Sequence, residues 1–213
     1  MKSALIVYGG WDGHQPEETS KIVSEALSGR EFSVSMETDL DVFLDQDRLR
    51  QFDLIIPNWT MGNMTFEQGK SLKEVIESGI GLAGWHGGAG DAFRDNCEFQ
   101  IMIGGQFVGH PGNMKDYTVD IINPDHEITK GLSSFPMHSE QYYMHIDPAV
   151  EVIAATKVNQ PTDPWLEGTT MPVAWVRPWG KARVFYSALG HDPSEFKGDC
   201  LELLLRGLTW AAK

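Results

Sequence analysis

The chain has 213 residues, enough for one domain with a full core. Apolar residues make up 41% of it, and no long polar or charged tract argues for disorder. Thirty acidic residues against 17 basic ones leave a net charge of -13, which argues against nucleic acid or an anionic membrane as partner and fits a neutral or cationic small molecule.

The predicted elements begin with a continuous apolar run, residues 4–8, that ends at Gly9-Gly10 and reads as a strand buried on both faces. No signal-peptide stretch occupies the start and no run of ~20 apolar residues occurs anywhere, so a cytoplasmic protein is expected. Pro16 then opens a helix over 17–27, with Glu17 and Glu18 complementing its positive start and Gly29 as its stop. Residues 32–36 alternate as a second strand. Residues 52–56 make a third, bounded by Pro57. Thr65 and Gln68 form a capping-box pattern, which predicts a helix to about residue 78. Residues 80–84 are a fourth strand. Four strands with helical crossovers predict a mostly parallel sheet covered by helices on both faces.

The middle of the chain is less regular. Residues 91–102 read as helix, 104–112 as a glycine-rich loop or edge strand, and 117–122 as strand. Residues 136–145 have no clear period. A strand over 150–155 and a loop over 159–170 follow. Residues 173–176 and 182–186 form a hairpin through Pro178-Trp179-Gly180, and a closing helix covers 199–212. Residues 1–213 are read as one domain.

Ligands of open α/β sheets bind beyond the carboxyl ends of the strands. Four strands lead into residues with chemistry: Gly9-Gly10-Trp11-Asp12-Gly13-His14, Asn58-Trp59-Thr60-Met61-Gly62, Trp85-His86-Gly87-Gly88 and Gly190-His191-Asp192. Gly84-Trp85-His86-Gly87-Gly88 has the spacing of a nucleophile elbow, with histidine where serine or cysteine would stand. An imidazole there can act as base, acid, metal ligand or transient nucleophile, and a helix start disfavours its charged form.

These segments resemble the ThuA-like, or trehalose-utilisation, family. So do Pro124-Asp125-His126-Glu127-Ile128-Thr129-Lys130-Gly131-Leu132, Ser187-Ala188-Leu189-Gly190-His191-Asp192 and the closing Leu204-Leu205-Arg206-Gly207-Leu208-Thr209-Trp210. The resemblance runs nearly end to end. It implies a three-layer α/β sandwich of the flavodoxin-like, class I glutamine amidotransferase-like kind, and a link to trehalose or related disaccharides. It also carries a subtraction. Cys97 and Cys200 match no nucleophile position, and the elbow holds His86, so thioester amidotransfer lacks its thiol.

The candidate catalytic residues are therefore His86, Glu140, His191 and Asp192. Glu140 is carried over from the family's acidic-aromatic segment, here His138-Ser139-Glu140-Gln141-Tyr142-Tyr143. Trp11, His14, Trp59, His110 and Tyr142 are candidates for substrate binding, the tryptophans as faces for a sugar ring. His126 and Asp125 are read as structural, with Asp125 as a helix cap. No cofactor is fixed, but His14, His86, His110, Glu140 and His191 are donors of the kind a divalent metal such as zinc takes, although no two share a short ligand spacing. The expected function is an enzyme of disaccharide or keto-sugar catabolism using His/Glu acid–base chemistry, with hydrolysis, elimination and isomerisation all open. The alternatives are a non-catalytic sugar-binding module on a degenerate amidotransferase scaffold and a metal-dependent hydrolase. A homo-oligomer fits an enzyme of this size.

Overall fold

The computed structural model describes residues 1–159 and 163–213, so residues 160–162 of the expected 159–170 loop lie outside the described residues. Strand β1 (Lys2–Gly10) pairs in parallel with β2 (Phe32–Glu37) on one side and β3 (Leu54–Thr60) on the other. Ala4 and Ile6 face one core cluster, Leu5 and Val7 the other, and all four are fully buried. That explains why the run is apolar without alternation: both faces of the strand are covered.

Helices α1 (Pro16–Ser28) and α2 (Gln46–Leu49) lie in the first two crossovers, with a 3-10 turn over Leu40–Leu44. Helix α3 (Phe66–Glu77) starts from the expected capping box: the Thr65 hydroxyl accepts from the Gln68 amide, and the Gln68 side chain accepts from the Thr65 amide. Strand β4 (Gly81–Trp85) leads into the short α4 (His86–Gly90), and α5 follows over Cys97–Ile103. The helix expected over 91–102 is thus shorter. Phe93 takes a left-handed φ of 49°, and the Asn96 side chain caps a fresh start by accepting from the Phe99 amide.

Strand β5 (Gly105–Gly109) realises the expected edge strand. Strands β6 (Met114–Ile121), β7 (Phe135–Glu140), β8 (Tyr143–Ile146) and β9 (Glu151–Lys157) follow. The 136–145 stretch without a clear period is therefore two strands. Its β8 pairs with β5 in a separate two-stranded sheet. The 124–132 segment is a series of turns without a helix, so Asp125 caps none, and Nδ1 of His126 accepts from the Ile128 amide. Strands β10 (Thr170–Trp179) and β11 (Ala182–Ser187) form the expected hairpin, with a tighter turn at Gly180-Lys181. Helix α6 (Gly198–Ala211) closes the chain.

The main sheet has nine strands in the order β2-β1-β3-β4-β11-β10-β9-β6-β7. Its first five run parallel, and the remainder alternate in direction. Helices α1 and α6 cover one face; α3, α5 and the 3-10 turn cover the other, completing three layers. Pro57 does not end β3. The ladder to β4 stops at Ile55, so a residue with no N–H is tolerated beyond it. Pro172 and Pro178 sit in β10 by the same logic, each at an end where only one neighbouring strand pairs. No helix among the described residues is long and apolar enough to cross a membrane.

Candidate active site

The carboxyl ends of the parallel strands converge on one point. Beyond β1, a 3-10 turn over Asp12–His14 folds His14 inward to 7% exposure. His14, a candidate from the glycine loop after β1, is therefore buried. β3 ends at Thr60, whose hydroxyl hydrogen-bonds Nδ1 of His14 at 2.8 Å. Beyond β4, His86 opens α4 with a left-handed φ of 42°, the sharp strand-to-helix turn that the glycine spacing predicted. A Cβ on Gly87 would stand 2.5 Å from the His14 ring, and one on Gly88 would stand 2.1 Å from Oδ1 of Asn58. The glycines are there for close approach: they let two strand ends touch.

His86 is 1% exposed. Its Nδ1 lies 2.9 Å from the carbonyl oxygen of Ala188, just past β11. A carbonyl can only accept, so Nδ1 carries the hydrogen and Nε2 faces the cluster. The Tyr186 hydroxyl donates to the His86 carbonyl at 3.0 Å, and the Tyr142 ring stacks on the imidazole with centroids 4.0 Å apart. Both hold the ring in place.

Glu140 ends β7, at the far edge of the sheet order from β2, yet its Oε2 comes 3.2 Å from Nε2 of His86 and 3.2 Å from Nδ1 of His191. Those two nitrogens stand 3.3 Å apart. Oε1 of Glu140 is 3.5 Å from Nε2 of His110, whose side chain is about one-third exposed. Nδ1 of His110 is buried with no partner. The rings of His14, His86 and His191 form a triangle with centroids 4.7 to 5.2 Å apart.

Electrostatics separates these groups. Burial, then the neighbouring His86 and His191, pushes His14 down to about 3, so its ring is neutral near pH 7. Burial alone would raise the Glu140 carboxyl, but hydrogen bonds from His191 and His86 outweigh it and hold the group well below the usual carboxylate range. The hydrogen bond to Glu140 raises His191 against the opposing effect of burial.

Other expected residues have different places. Both oxygens of Asp192 are engaged elsewhere: one accepts from the Ser194 amide, the other from the Gln15 side chain. Asp192 thus caps the 3-10 turn Pro193–Glu195 and shapes the loop after His191. Tyr142 is 4% exposed behind His86, so it supports the imidazole and presents no open face to a sugar. Trp59 is half-buried and packs over the backbone of Gly9, Gly10 and Gly62. Trp11 remains 48% exposed, its ring edge-on to His14 at 4.8 Å. Neither cysteine belongs to the cluster. Cys97 is exposed at the start of α5, and Cys200 is buried in α6.

One buried acid escaped the sequence reading. Glu195 is 7% exposed, and its Oε2 accepts from the Ser139 hydroxyl and from the amides of Gly190 and His191. It fastens the His191 loop to the strand that carries Glu140. Its position four residues after His191 was the only local signal.

Residues 3–211 match the family described as ThuA, trehalose utilisation. A search of curated proteins returned no significant match. Among solved structures, a ThuA-like protein from Bacteroides uniformis is 21% identical, with a TM-score of 0.79 and 99% of this chain and 91% of that one covered. One from Parabacteroides merdae is 19% identical, with a TM-score of 0.81 and coverage of 100% and 90%. A β-galactosidase from Rahnella sp. R3 shares the fold at 15% identity and a TM-score of 0.63, with 99% of this chain covering 30% of that enzyme. By the match across almost its whole length, the chain belongs to the ThuA, or trehalose utilisation, family.

Proposed function

We propose that this protein is an enzyme of disaccharide or keto-sugar breakdown, in the setting its family description names, and that the Glu140 cluster moves the proton in its reaction. One observation carries the reading: a single buried carboxylate lies within 3.2 to 3.5 Å of three imidazoles delivered by three separate segments of the chain. A scaffold that only bound sugar would gain nothing from burying these groups together, because each must be desolvated.

The roles follow from access. His86 is sealed from solvent, so it positions and polarises Glu140 without reaching a substrate. His191 and Glu140 lie at the mouth, with side-chain exposures of 20% and 11%, and are the groups that meet the sugar. His110 stands across the other carboxylate oxygen, where a second proton donor belongs. The exposed ring of Trp11 offers an apolar face to a pyranose beside His14.

The test is to incubate the protein with trehalose and with a keto-disaccharide and to follow both by NMR. Glu140→Gln is expected to lower kcat by about 100-fold or more, the usual contribution of an acid–base group. Trp11→Ala is expected to raise KM with little change in kcat. Saturable sugar binding with both sugars unchanged would make this protein a binding module and overturn the catalytic reading.

A further inference from the structure

We infer that His14, His86, His191 and Glu140 form a binding site for one divalent metal ion, zinc by the character of the donors. One ligand atom from each lies within 4.8 Å of the others.

The distances separate this from a purely hydrogen-bonded cluster. Nε2 of His86, Nδ1 of His191 and Oε2 of Glu140 make a nearly equilateral triangle with sides of 3.3, 3.2 and 3.2 Å. In a tetrahedral site with metal–ligand bonds of about 2.0–2.1 Å, neighbouring ligand atoms stand about 3.3 Å apart. Charge-assisted N–H···O bonds are shorter, about 2.7–2.9 Å. The three atoms therefore have the spacing of ligands around a shared cation and are loose for partners sharing protons.

The tautomers agree. The Ala188 carbonyl commits the His86 hydrogen to Nδ1, which leaves the Nε2 lone pair facing a carboxylate oxygen and another ring nitrogen. Once Nδ1 of His191 gives up its hydrogen, three electron-rich atoms face one point and repel one another unless a cation lies between them. The Thr60 hydroxyl engages Nδ1 of His14 and leaves Nε2 as its ligand atom. A carbonyl and a hydroxyl fixing the far nitrogen of a ligating histidine are the outer partners that metal sites use. The glycine at position 87 admits the His14 ring, which brings a fourth ligand atom within 4.8 Å of the other three. Three imidazoles and one carboxylate suit zinc, whereas calcium and magnesium ask for oxygen donors.

A bound ion would recast the roles above. His86 becomes a ligand, and the ion supplies Lewis-acid chemistry toward a sugar carbonyl or a water. That the ion serves catalysis rests on the proposed enzymatic reading; that it binds does not.

The experiment uses the full chain, purified without chelator, loaded with Zn²⁺, freed of excess and assayed by elemental analysis. The expected result is about one zinc per chain, with an intense visible spectrum on substitution by Co²⁺. His14→Ala and His191→Ala are each expected to weaken binding by 100-fold or more, while His126→Ala, outside the cluster, keeps the ion. Thr60→Val keeps all four ligands and is expected to weaken binding about tenfold, as loss of an outer partner does. Circular dichroism checks that each variant is folded. Only trace zinc in the loaded wild type, or full stoichiometry retained in the His86→Ala/His191→Ala double variant, would overturn the inference. Zinc binding without sugar turnover would keep this site and remove the enzymatic reading. Sugar turnover together with only trace zinc in the loaded wild type would do the reverse.

Discussion

His86 holds a left-handed backbone, which costs an L-residue roughly 1–2 kcal/mol, and a sealed position that no soluble base needs. Such strain persists only where surroundings over-determine it. Here the Ala188 carbonyl, the Tyr186 hydroxyl and the Tyr142 ring do so. The glycine pattern made this residue legible in the sequence. His14 and Glu140 were legible only as candidates, because what buries them are partners such as Thr60 and His191, 46 and 51 residues away. Glu195 was not legible, since its role is a set of hydrogen bonds to residues from two segments. The two cysteines give a test at this scale. Burial, then the charge of Glu195, pushes the Cys200 thiol up to about 12, so it stays protonated, whereas Cys97 is exposed. Titration with a thiol reagent at pH 8 should show one fast thiol in the native protein and a second only in denaturant. Two fast thiols would mean that α6 does not pack as described.

Among the elements, those with local punctuation were read well. Pro16 with its following glutamates, and Thr65 with Gln68, placed two helix starts to within a residue or so. The start of α5 differs from the expected residue 91 although its signal is local: Asn96 is a good cap, and the helix begins just after it. Each proline inside a strand was hard to read because its tolerance depends on where a neighbouring ladder stops. Thr65→Ala removes the hydroxyl that accepts from the Gln68 amide. It is expected to cost about 1 kcal/mol and to lower Tm by about 2–4 °C, with Thr65→Ser close to wild type. Calorimetry of the two variants decides it. An unchanged Tm for Thr65→Ala would show that packing against the 3-10 turn alone holds this helix.

At the scale of the molecule, the parallel half of the sheet was legible in strands and order, whereas in the antiparallel half the strands over 117–122 and 150–155 and the closing hairpin were legible but β7 and the strand order were not. Strands β1 to β4 are buried runs separated by helices, a pattern that dictates its own topology. The order of strands β6, β7 and β9 depends on pairings that no local period encodes. The site straddles this divide. Three histidines come from the ends of parallel strands, and the carboxylate comes from the outermost antiparallel one.

Strand β11 sits between β4 and β10, although it is the last strand of the chain. During synthesis, β4 leaves the ribosome roughly a hundred residues ahead of its neighbour, since the Ala188 carbonyl that His86 uses lies 102 positions later. Until then one side of β4 is an open apolar edge in a half-made sheet, and such edges recruit other chains. A chain cut after residue 180 should therefore collect in the insoluble fraction on expression, while the full chain stays in the supernatant. The same insertion works as a completeness check: the strand that closes the sheet also brings His191 and the carbonyl that orients His86, so no unfinished molecule has a finished site.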